Sequence, residues 1–181
     1  MHLKFLGGAG TVTGSKYLLT IGKQNILIDC GLFQGGRDLR ERNWADFPID
    51  PKSIDAVVIT HAHIDHTGYI PLLVKNGYKG TIFATHATYD LCKVLLPDSA
   101  RLQEEDAFHA NKYQWSRHAQ ALPLYTEVDA IAALHQFKTV EFDKPYQILE
   151  KDTVTWRGAG HILGAAFIEF NVDGKKIIFS G

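Results

Sequence analysis

The stretch "HAHIDH" places four side chains able to bind a metal, His61, His63, Asp65 and His66, within six positions. Imidazole and carboxylate together suit zinc or a similar first-row ion, and the harder aspartate also admits manganese or iron. His61 and His63 are two apart, so in an extended segment they point the same way. Asp65 and His66 follow as the chain turns into a helix, which lets them face a second centre nearby. The competing reading is a set of surface or helix-capping residues with no ligand. Four candidate ligands at the end of the apolar run "AVVIT" argue against it.

Two further residues carry the same chemistry at a distance. His161 stands in "GAGHILGAA", where glycines at 158, 160 and 164 allow close backbone approach. Taken alone, a single histidine is more often structural than a ligand. Asp29 ends the apolar run "NILI" and needs hydrogen-bond partners if it is buried. Its alternative is an aspartate capping a turn before Gly31.

The elements that must position these groups follow from periodicity and turn chemistry. "HLKFLG" reads as a strand, then a glycine-punctuated loop, then a hairpin of "KYLLTI" and "NILIDC" across Gly22 to Gln24. "GLFQGGRDLRERNW" reads as a polar loop, "IDAVVIT" as a fully apolar strand ending at His61, "GYIPLLVKNG" as a short helix and "GTIFAT" as the next strand. From His86 to about His118 the pattern is helical, with a break or kink at Pro97. "TEVDAIAALHQF" is a second helix with Thr126 as N-cap. Short strands follow: "TVEF", "YQIL", "TVTWRGAG", "AAFIEFNV" and "KKIIFSG", the last two joined by the hairpin signal Asp173-Gly174. Strands, then helices, then strands place the chain in the α/β class on a largely β scaffold.

With 181 residues and no linker or repeat, residues 1–181 read as one domain. A net charge of −1 provides no global positive field, so any polyanion must be met by a local patch. No apolar run reaches membrane-spanning length and the start has no signal-peptide core. Cys30 and Cys92 lack the spacing of a metal or disulfide framework, which suits a reducing, cytoplasmic setting.

With "HAHIDH", "LIDCGLFQGG" and "GAGHILGAA" in hand, the sequence resembles the metallo-β-lactamase superfamily. "HTGYIP" and "LPDSARLQEEDA" add likeness to its RNA-processing branch, the β-CASP nucleases. The resemblance implies an αββα sandwich with a metal site at one edge. It implies a first zinc site of His61, His63 and His161, a second including Asp65 and His66, and Asp29 orienting the metal loop by hydrogen bonds. It further implies an RNA phosphodiesterase acting on single-stranded RNA. Two zinc ions about 3.5–4 Å apart would share the attacking hydroxide, with Asp65 and His66 among the catalytic groups. Family members continue past "FSG" with a bridging aspartate, whereas this sequence ends at Gly181. The expectation is therefore an N-terminal piece that lacks the closing strands and helices and the β-CASP insertion. Such a piece would hold one zinc or none, be inactive alone and associate with itself. Two alternatives stay open: another hydrolase on the same fold, of thioesterase or lactamase type, and a non-catalytic subunit or binding module.

The remaining candidates have plainer readings. Arg37, Arg40 and Arg42 could steer a phosphate backbone, but a solvated charged loop is the simpler account. His2, His86, His109, His118 and His135 read as surface or helix-end histidines, and Glu104, Glu105 and Asp106 as a solvated helix face. Trp44, Trp115 and Trp156 read as core or loop packing rather than as base-stacking groups.

Overall fold

The computed structural model describes residues 1–116, 119–148 and 152–181. His118 and the end of the "YQIL" strand at Leu149 lie outside the described residues. Strands β1 (His2–Gly7), β2 (Lys16–Ile21), β3 (Gln24–Ile28), β4 (Ala56–Val58), β5 (Thr81–Thr85) and β6 (Phe137–Val140) form the first sheet, in that order. β1, β2 and β3 pair antiparallel, and β3 to β6 pair parallel. β7 (Pro145–Tyr146), β8 (Thr153–Gly158), β9 (Ala166–Val172) and β10 (Lys175–Phe179) form an antiparallel second sheet in the order β10-β9-β8-β7. The helices are α1 (Arg37–Glu41), α2 (Ile64–Thr67), α3 (Ile70–Lys75), α4 (His86–Tyr113) and α5 (Glu127–Leu134).

The two sheets face each other across one core. Leu19, Ile26, Ile28 and Val58 of the first meet Val154, Trp156, Ile168 and Phe170 of the second. In β8 and β9 the inward residues alternate with outward ones such as Arg157, Glu169 and Asn171, the period-two signature of a sheet buried on one face. β3 and β4 are different: Leu27 and Val57 point away from that core yet are fully buried, because Ile70 and Leu73 of α3, with Tyr69 just before it, cover the opposite face. α4 and α5 add a third cluster around Cys92, Leu96, Tyr125 and Ala130. The layers are thus helices, sheet, sheet. The second sheet's outer face carries Arg157 and Lys176, both paired with Glu169.

Several expected details hold. Asp173 and Gly174 both have positive φ (48° and 73°), the two-residue turn whose twist suits a hairpin. Thr126 caps α5 in a reciprocal box, its hydroxyl accepting from Asp129 N–H while the Asp129 carboxylate accepts from Thr126 N–H.

Others are corrected. α4 runs unbroken through Pro97, because Cys92, Leu96 and Ala100 are buried on both sides of it and their packing outweighs one missing hydrogen bond. The expected polar loop after Phe33 contains α1 and a 3-10 turn over Arg42–Trp44. The buried Asn43 amide pins them, bonding Phe33 N–H and C=O at 2.8 Å each. β6 starts two residues earlier than expected, in register with β5 from Ile82↔Phe137. Only Trp156 packs in the core; Trp44 and Trp115 are 60% and 65% exposed. Glu104 is not merely solvated, since its carboxylate accepts Glu127 N–H at the first residue of α5.

Candidate metal centre

The buried residues of β4 continue through Ile59 and Thr60 and deliver His61 at the edge of the sheet. Trp156 of the facing sheet holds that exit, its indole N–H donating to the Ile59 carbonyl at 3.0 Å. Thr60 then decides the state of His61. The Thr60 hydroxyl donates to Asp29 Oδ2 at 2.8 Å, so toward His61 Nδ1, 3.0 Å away, it acts as acceptor. His61 therefore carries its proton on Nδ1 and presents the Nε2 lone pair. Burial, followed by the charges of His66, His63 and His161, pushes the His61 pKa down to about 3. Its ring is neutral in the physiological range, the form that ligates.

Three ring nitrogens converge. His61 Nε2 lies 3.1 Å from His63 Nδ1, and His161 Nε2 lies 3.2 Å from the same atom. All three ligand atoms fall within 4.8 Å of one another, and the rings stand nearly perpendicular in pairs (80°, 82° and 76°). Zinc–nitrogen bonds of about 2.0–2.1 Å in a tetrahedron put ligand atoms about 3.3 Å apart, close to these spacings. The donor set fits a metal ion with one position left open.

Beside this triangle stand Asp65 and His66, in the single turn of α2. The His66 ring is 4.0 Å from that of His61, and its Nε2 is 3.7 Å from Asp65 Oδ2. Asp29, 1% exposed and held at φ 55° just past β3, lies underneath. Its carboxylate accepts Thr60 N–H (2.8 Å), the Thr60 hydroxyl (2.8 Å) and His66 Nδ1–H (2.7 Å). Burial pulls the His66 pKa down, but the hydrogen bond and charge of Asp29, with help from Asp65, outweigh it and lift the value. The buried Asp29 carboxylate thus ties the Thr60 segment to His66.

The structure therefore brings His61, His63 and His161 into one cluster and sets Asp65 and His66 as a pair next to it. Sequence reasoning missed the residues that hold this arrangement. Thr60 is the hub between Asp29 and His61. The segment 30–32 is the floor of α2, with Cys30 and Leu32 N–H donating to the His66 and Ile64 carbonyls at 2.8 and 3.0 Å. Thr60 directly precedes the motif and Cys30 directly follows Asp29, so adjacency was the available signal.

A cavity of about 280 Å³ opens beside His66 and Asp29, lined also by Ser15, Tyr17 and Phe179. A larger apolar groove of about 930 Å³, between Phe33, Trp44, Ile64, Leu102, Trp115 and Leu122, does not include the histidines. The end of β10 brings Gly181 against Thr60, near His61. No described helix is long and apolar enough to cross a membrane.

A ribonuclease from Thermus thermophilus is 34% identical over all of this chain and 37% of its own length. A transcription termination factor, FttA, from Cenarchaeum symbiosum is 31% identical over all of this chain and 27% of its own. This chain thus spans about a third of the length of these curated relatives. A solved metallo-beta-lactamase from Cronobacter sakazakii shares the fold, with a TM-score of 0.55 and 24% identity over 97% of this chain and 59% of that one. The sequence pattern of the metallo-beta-lactamase superfamily matches residues 9–172, a span that includes every residue of the histidine cluster, and the chain belongs to that superfamily.

Proposed function

We propose that this chain is the metal-binding domain of an RNA phosphodiesterase of the β-CASP type. His61, His63 and His161 hold one divalent ion, zinc by preference, and Asp65 and His66 contribute to an adjoining second centre. The convergence of three imidazole nitrogens within 4.8 Å carries this reading. RNA as substrate rests on the curated relatives, a ribonuclease and a transcription termination factor. Such an ion, when bound, lowers the pKa of a coordinated water and offsets charge growing on phosphoryl oxygens. The chain's own residues prepare for it: Thr60 fixes the His61 tautomer, and Asp29 holds the His66 Nδ1 proton so that Nε2 faces Asp65. Among the described residues Asp65 and His66 offer two ligands where four are usual, so we expect at most one tightly held zinc per chain. Self-association is part of the proposal, supported by the edge strand β10 with Ile178 54% exposed.

Metal analysis of this chain, and cleavage of single-stranded RNA by its complete gene product with His63→Ala as control, test the reading. One zinc per chain, lost in the variant, together with RNA cleavage abolished by the same substitution, is the expected result. A metal-loaded gene product that left RNA intact while hydrolysing a thioester would overturn the substrate, and absence of metal binding would overturn the site. A clean monomer by light scattering would remove self-association.

A further inference from the structure

His161 is exposed and sits on a loop between β8 and β9, so something must hold its ring at the spacing a metal needs. Within the loop, Ala159 and Ala165 N–H donate to the Ala165 and Ile162 carbonyls, at 3.0 Å each. These bonds shape the loop without tying it to the rest of the protein. Ile162 packs against the cluster between α4 and α5, and Ala166 N–H donates to the Thr60 carbonyl at 2.9 Å. A further backbone tie is at Gly164, whose carbonyl accepts two buried hydroxyls from the start of α4, Thr85 at 2.7 Å and Thr88 at 3.0 Å.

Helix capping does not account for this pair. As N-cap, Thr85 uses its oxygen as acceptor toward Thr88 N–H at 3.3 Å, which leaves the proton free. That proton has two acceptors in reach, Thr88 Oγ1 at 3.0 Å and Gly164 O at 2.7 Å, and the carbonyl is nearer. Thr88, fully buried inside the helix, sends its own proton to the same foreign carbonyl, 76 residues away in sequence. The fit is close: Gly164 has φ 80°, and a Cβ on it would stand 2.8 Å from both hydroxyl oxygens.

We propose that Thr85 and Thr88 are positioning residues for the third metal ligand. By holding the Gly164 carbonyl they set where His161 Nε2 lies relative to His61 and His63. This rests on the metal-site reading above. The test uses Thr88→Val, which removes one hydroxyl while leaving the Thr85 cap, and Thr88→Ser, which restores it. Zinc affinity is measured by chelator competition, and amide hydrogen exchange across residues 159–166 and along α4 is measured in the metal-free protein. Thr88→Val should weaken zinc binding by about 10–100-fold, the usual effect of losing a group that orients a ligand. It should also speed exchange in the loop but not in α4, with Thr88→Ser close to the parent protein in both. Unchanged zinc affinity in Thr88→Val, equal losses in both variants, or faster exchange confined to α4 would overturn the proposal. If the parent protein bound no zinc, the metal site itself would fall. Loop exchange would still decide whether the threonines hold the loop.

Discussion

Gly31 lies against the Asp65 carbonyl so closely that a Cβ on it would overlap that carbonyl group. The obstacle is backbone, which cannot step aside as a flexible side chain would. Gly31→Ala should therefore push α2, with Asp65 and His66, off its floor. Overpacking of this kind costs about 1–3 kcal/mol, with the upper end expected where the neighbour cannot give. A urea midpoint within experimental error of the parent protein would show that α2 is free to shift.

Asp29 answers three donors at once, and removing it leaves buried Thr60 N–H and His66 Nδ1–H unpaired. Each such orphan costs about 1–3 kcal/mol. Asp29→Ala should lose stability by several kcal/mol. Asp29→Asn, similar in shape but uncharged, should lose less while still weakening zinc binding about 10-fold. Thermal melts and zinc titration of both variants check this; equal behaviour of the two would deny the charge its role.

Lys16 offers the clearest pH signature. Its ammonium is buried with no hydrogen-bond partner among the described residues and lies over the rings of Phe33 (4.4 Å) and Tyr69 (4.8 Å). Burial, opposed in part by Cys30, lowers its pKa from 10.5 to about 8. The unfolded chain then holds the proton more tightly than the folded one, so folding is penalised below pH 8 and the penalty fades between pH 8 and 10.5. A shift of that size amounts to about 3 kcal/mol, and the two rings return part of it. Lys16→Met should be more stable than the parent by about 1–2 kcal/mol at pH 7. The gap should close as pH rises to 10.5, in denaturant melts run across that range. A gap that did not vary with pH would refute the assignment.

Trp156 bonds the Ile59 carbonyl from the opposite sheet, two residues before His61. Trp156→Phe removes the donor and part of a fully buried ring. A loss of about 2–4 kcal/mol is expected from the orphaned carbonyl and the space left behind. Zinc affinity should fall as well, because the exit of β4 aims His61. Destabilisation with unaltered zinc affinity would confine Trp156 to packing.

The site was more legible in the sequence than its supports. Histidine and aspartate at tight spacing after an apolar run single out a candidate metal site, because few other chemistries need that combination. The hairpin at Asp173-Gly174 and the cap at Thr126 were legible because turn and cap chemistry are local. The continuity of α4 through Pro97 was not, since Cys92, Leu96 and Ala100 are buried by partners far away in sequence. Thr60, Thr85 and Thr88 escaped for a related reason. A threonine looks the same in any strand or helix, and only the fold reveals which carbonyl or carboxylate its hydroxyl meets.

The histidine cluster draws on both sheets, for His61 and His63 leave the first while His161, 98 residues beyond His63, lies between two strands of the second. An ion gripped by all three would act as a cross-link. Pinning together points about 100 residues apart removes about 4–5 kcal/mol of freedom from the unfolded chain on the scale used for disulfides. Loading the site and riveting the two sheets face to face become one event. Chelation should then loosen the sandwich as a whole, along with the chemistry at its edge.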